Sequence, residues 1–73
     1  MTPENQATAR EAARTARGRG SSGKYSRVGM KFGKASTLVS LTDAVTGDIW
    51  KVRVYKDGTP AQFVTQVPAS AAA

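Results

Sequence analysis

The sequence predicts a mainly β protein: a small antiparallel meander or open barrel of about four short strands, preceded by a basic N-terminal arm that is partly helical or disordered. Three observations lead there. At Tyr25 the apolar pattern changes from helical spacing to strict alternation, the mark of half-buried strands. Beyond it, clusters of Gly, Asp and Pro divide the chain into short runs. All of the net charge sits in the first half: residues 1–34 carry eight Lys or Arg against two Glu, whereas residues 35–73 carry three against three Asp, for a net +6 over 73 residues. The expected organisation is a flexible basic arm and Gly/Ser linker over 1–24, a β module over 25–68 and a disordered tail over 69–73.

The arm opens with Thr2, Pro3 and Glu4, which read as a helix cap, a proline at the first helical position and an acid in the first turn. The stretch to Arg17 is rich in Ala, Gln, Glu and Arg, all strong helix formers. Its only apolar side chains are Ala7, Ala9, Ala12, Ala13 and Ala16, so little is available to bury, and an isolated helix of about 15 residues is marginal in water. A frayed arm is therefore expected. On such a helix Arg10, Arg14 and Arg17 form one stripe, and Arg10 repels Arg14 one turn away by a few tenths of a kcal/mol. A stripe that weakens its own helix points to an anionic partner. The run Gly18-Arg19-Gly20-Ser21-Ser22-Gly23 fits the letters of a dinucleotide-binding loop, but the loop needs a strand before it and a helix after it, and the order here is the reverse. It reads as a linker.

In the module, Val28, Met30 and Phe32 alternate with Arg27, Gly29 and Lys31 in a first strand that starts at Tyr25. Gly33 to Ser36 form a turn, and Thr37–Thr42 a second strand with Val39 and Leu41 on one face. After the loop from Asp43 to Asp48, Ile49–Tyr55 gives the clearest strand, Trp50, Val52 and Val54 alternating with Lys51, Arg53 and Tyr55. Asp57-Gly58 signals a hairpin, and Ala61–Val67 is a fourth strand with Phe63, Thr65 and Val67 on one face. The expected core is Val28, Met30, Phe32, Val39, Leu41, Trp50, Val52, Val54, Phe63 and Val67.

Composition removes several functional classes. The chain has no Cys and no His, which excludes disulfides and zinc sites of the usual Cys/His kind and removes the commonest general base. No Ser has a base assignable to it, and Asp43, Asp48 and Asp57 lie near turns, where Asp caps the backbone. No catalytic residue, metal or cofactor is expected, and the protein is read as not an enzyme. With no leader-like start and no apolar run of membrane-spanning length, it is read as soluble and intracellular, without membrane contact, and as a monomer. On the polar faces of the first and third strands, Tyr25, Arg27, Lys31, Lys51, Arg53 and Tyr55 interleave cations with rings, the pattern that single-stranded nucleic acid uses. Antiparallel sheets also carry such residues on a solvated face with no binding role. The expected partner-binding residues are thus Arg10, Arg14, Arg17, Arg19, Lys24, Tyr25, Arg27, Lys31, Lys51, Arg53 and Tyr55.

The length, the Arg-rich, Ala-rich arm of residues 7–19 and the run Lys24-Tyr25-Ser26-Arg27-Val28-Gly29-Met30-Lys31-Phe32 together resemble the small RNA polymerase-binding regulators of Xanthomonas phages. The resemblance implies a transcription regulator in the host bacterial cytoplasm. Such a protein binds host RNA polymerase near the N-terminal part of the β-prime subunit and the RNA exit channel. It inhibits promoter initiation and suppresses intrinsic termination, with at most weak nucleic-acid contact. The residues by themselves leave two rivals open, a nonspecific single-stranded nucleic-acid-binding protein and a minor virion or packaging protein.

Overall fold

The fold begins with α1 (Pro3–Gly18), continues through β1 (Tyr25–Phe32), β2 (Ser36–Asp43), β3 (Ile49–Tyr55) and β4 (Gln62–Val67), and ends with the single turn α2 (Ala69–Ala72). These elements are those of a computed structural model that describes residues 2–72. The strands make one open antiparallel sheet in the order β1-β2-β3-β4, and α1 packs across β3, β2 and β4 on one face of it. We call that face inner and the other outer.

The helix starts as its sequence predicts. Thr2 is the N-cap and its Oγ1 accepts a hydrogen bond from the Asn5 N–H at 3.2 Å. Its far end departs from expectation, because the arm is part of the folded unit. Ala12 and Ala16, one turn apart, are fully buried against Val39, Leu41, Trp50, Val52 and Val54. Alanine is small, and that lets the helix backbone approach the sheet closely: the large side chains of β2 and β3 supply the apolar volume. At the helix end the N–H groups of Arg19 and Ser21 both donate to the Ala16 carbonyl, at 3.0 and 3.1 Å, and Gly20 turns the chain at φ 111°, a region that disfavours any side chain.

The Gly/Ser segment is pinned as well. Asp43, 2% exposed, accepts hydrogen bonds from the Ser22 N–H at 2.9 Å and the Ser22 hydroxyl at 2.7 Å, and also from the N–H groups of Val45 and Thr46. One carboxylate therefore ties the α1–β1 connection to the β2–β3 loop. The division into a loose arm and a separate module gives way to a single core shared by helix and sheet. Near the chain end, Ala69 N–H donates to the Asp48 carboxylate at 2.9 Å, so the start of α2 is held where a disordered tail was expected; residue 73 lies outside the described residues.

Two irregularities change which side chains share a face. Register shifts occur between Tyr25 and Arg27 in β1 and opposite Lys51 and Val52 in β4. An extra residue in an antiparallel strand reverses the alternation beyond it. Tyr25, opposite buried Asp43, consequently lies on the inner face while Arg27, opposite Thr42, lies on the outer. Likewise Phe63, opposite Val52, is inner, whereas Thr65 and Val67, opposite Lys51 and Ile49, are outer. The expected grouping of Phe63, Thr65 and Val67 on one face is corrected accordingly, and Val67 leaves the core. Val28 and Phe32 also leave it, at 38% and 61% exposed, because α1 lies across the other three strands. Thr37 and Asp43 are buried in addition to the apolar residues.

Candidate nucleic-acid interface

Pairing determines the outer face residue by residue, since directly opposed residues of antiparallel strands point to the same side. At one level Lys31, Leu38, Arg53 and Gln62 lie in line across β1 to β4. At the next, Gly29, Ser40, Lys51 and Thr65 do, and at the next Arg27, Thr42, Ile49 and Val67. Tyr55 pairs with Ser36 at the end nearest the β1–β2 turn. The face thus carries four cations and one phenol, and no carboxylate occurs among these register positions.

The cations stand in two rows on β1 and β3, about 10 Å apart because β2 lies between them, and Lys51 and Arg53 are about 7 Å apart along β3. Between the rows the floor is low: Ser40 and Thr42 are small, and at Gly29 the backbone alone closes the surface. At the upper end Lys31, Ser36, Leu38 and Arg53 border a depression of about 250 Å³. Arg27, Lys31 and Arg53 are exposed and Lys51 is half-buried. Two parallel rows of cations over a shallow floor suit a sugar-phosphate chain, which needs charge at intervals and room for its bases. Tyr55 is the ring at hand for stacking; its hydroxyl is 3.5 Å from the Gln62 amide oxygen.

The other expected site residues divide. Arg10, Arg14 and Arg17 are exposed on the side of α1 turned away from Ala12 and Ala16, and with Ala13, Gly23 and Tyr25 they line a depression of about 280 Å³. This second basic face lies on the opposite side of the molecule from the first. Arg19 belongs to neither face: its guanidinium lies 4.9 Å from the centroid of the Phe63 ring, a cation–π contact that closes α1 over β4. Lys24 lies in the connection at the foot of β1, its carbonyl accepting from the Ala44 N–H at 2.8 Å. Tyr25 is removed from the outer face. Its hydroxyl donates to the Ala13 carbonyl at 3.3 Å and receives the Ser21 hydroxyl at 2.6 Å, so it ties helix to sheet.

The floor residues Gly29, Leu38, Ser40 and Thr42 were not among those expected, although the alternation that puts Val39 and Leu41 inward necessarily puts Leu38 and Ser40 outward. The carboxylates lie elsewhere. Asp43 is pulled down to about 2 by the hydrogen bonds from Ser22 and, after them, those from Val45 and Thr46; Asp57 is lowered by its bonds from Thr59. Both are held as anions by donors, which is turn chemistry. The cleft of about 370 Å³ under the first half of α1 sets Glu4 and Glu11 beside Phe32, Val54, Tyr55 and Lys56, and Glu11 also borders Arg10 and Arg14 along the helix. Among the described residues no group of three or more acidic ligands could hold a metal ion, and no helix is long and apolar enough to cross a membrane.

Comparison with protein-family models, with curated proteins and with solved structures finds no match. Fold and site therefore define this protein by architecture and surface: a helix-backed four-stranded meander whose uncovered sheet face is basic.

Proposed function

We propose that the protein is a non-enzymatic binding protein whose outer sheet face takes the backbone of single-stranded nucleic acid. The observation that carries this reading is the placement of Arg27, Lys31, Lys51 and Arg53 in two rows on one open face without a carboxylate. Phosphate contacts of this kind release counterions, so affinity falls as salt rises, with a log–log slope of about −0.7 per contact for single strands, or about −3 for four. Fluorescence anisotropy with a labelled oligothymidylate across a salt series tests it. A slope near −3 that shrinks when the four residues are changed to Ala is expected; no binding at micromolar concentration would sink the reading.

A second reading follows from the placement of cations on both broad sides of the molecule, the Arg10, Arg14 and Arg17 stripe on one and the outer sheet face on the other. Two such faces suit a bridge between nucleic acid and an acidic protein surface. Such a bridge is consistent with the regulators that the sequence resembles, for which the resemblance implies action in the host cytoplasm on RNA polymerase near the RNA exit channel. Transcription in vitro with purified bacterial polymerase separates the two readings. Reduced promoter initiation and increased read-through of an intrinsic terminator would favour the regulator. Unchanged transcription with retained oligonucleotide binding would leave the nucleic-acid binder alone.

A further inference from the structure

β1 is an edge strand of eight residues with only β2 beside it, and its free side offers unpaired backbone groups along its length. The strand is two-faced in a way that β4, the other edge, is not. Towards the inner side it presents Val28, Met30 and Phe32; Val28 and Phe32 are exposed because α1 lies across the other three strands. Towards the outer side it presents Arg27 and Lys31, separated by Gly29. The stretch of chain that contains it, residues 12–42, has seven Lys or Arg and no Asp or Glu, and the carboxylates of Glu4 and Glu11 share a cleft with Phe32 at its inner end. The β4 edge, Gln62–Val67, has no charged residue at all.

We infer that β1 is a docking edge for an extended segment of a protein partner in which apolar residues alternate with Asp or Glu. A strand added beside β1 places alternate side chains on opposite faces, so one set covers Val28 and Phe32 while the other meets Arg27 and Lys31. The same charges argue against a second copy as the occupant. Two β1 strands paired antiparallel about Gly29 set Arg27 of each opposite Lys31 of the other, and like charges directly opposed destabilise a pair. Cations on an edge are a known guard against self-pairing, and here they leave it open to an acidic strand. The inference goes beyond the outer-face reading, because it uses the edge and the inner-facing row.

The test uses the full chain, labelled with ¹⁵N, and a blocked eight-residue peptide alternating Val and Glu. Expected are shifts and slowed amide exchange concentrated in β1, and at least tenfold weaker binding of the same peptide with Lys in place of Glu. A Val28→Thr, Phe32→Thr double variant puts a strand-forming, β-branched polar residue at two exposed positions; it should bind the Glu peptide at least tenfold more weakly while its affinity for oligothymidylate stays within twofold. Equal binding of the Lys peptide would overturn the inference, as would shifts spread over the outer face without protection of β1. Protection of β1 that grows with protein concentration in the absence of peptide would make a second copy the occupant and overturn it too.

Discussion

The two faces of one sheet, built from the same four strands, have opposite chemistry. On β3 the inner side chains are Trp50, Val52 and Val54, all buried, and the next residues along the same backbone, Lys51, Arg53 and Tyr55, point the other way. The inner face is closed by a helix whose contribution is smallness: Ala12 and Ala16 let α1 come close enough for Trp50 to be 4% exposed, its ring 6.0 Å from that of Phe63. The outer face has no covering element, and it collects cations that would be costly to bury without partners. One face therefore carries stability and the other carries the surface chemistry, and each can be altered without the other.

That separation can be broken most severely at Trp50. Trp50→Ala removes the largest buried side chain at a cost of about 3–5 kcal/mol, a large share of what a domain of this size holds, and loss of amide dispersion in NMR spectra is the expected result. The indole Nε1–H is buried without a hydrogen-bond partner, so the ring stabilises by packing. A folded Trp50→Ala protein would show that the inner face is less decisive than its burial implies. Ala12→Leu tests the close approach of α1: added volume at a fully buried site should cost about 1–3 kcal/mol, read as a lowered urea midpoint. An unchanged midpoint would return α1 to the status of a loosely attached arm.

A smaller effect is expected from acid. Asp43 titrates near 2 in the folded chain against 3.8 when unperturbed, chiefly because Ser22 donates to its anion. A depressed carboxyl pKa contributes stability that is complete above the unfolded value and is lost as pH falls from about 4 towards 2. Urea midpoints should decline through that window, and Asp43→Asn should flatten the decline. Tyr25→Phe, which deletes the hydroxyl bonded to Ala13 and Ser21, should cost about 1 kcal/mol and leave oligonucleotide affinity unchanged, sharpening the assignment of Tyr25 to the inner face. The combined Arg27, Lys31, Lys51 and Arg53 to Ala variant should stay folded. Surface changes of this kind shift stability by about 0.5 kcal/mol or less each, yet here they should abolish most of the salt-dependent binding. Retained binding would place the contact on the Arg10, Arg14 and Arg17 side of α1.

Local pattern alone determined the strands, the helix start and most of the outer face. Alternation is a property of neighbouring residues, so Ile49–Tyr55 shows in sequence which side chains oppose which; Thr2-Pro3-Glu4 likewise carries its cap within one turn. Tertiary structure decided what depends on residues distant in the chain. The burial of Ala12 and Ala16 requires β2 and β3 to lie beneath them, and an alanine on a helix looks the same in sequence whether it faces a sheet or water. The linker became ordered because Asp43, 21 residues away, meets Ser22. Tyr25 and Val67 changed faces because an extra residue slipped the register in β1 and in β4, and a bulge shows only once the partner strand is in place to count against.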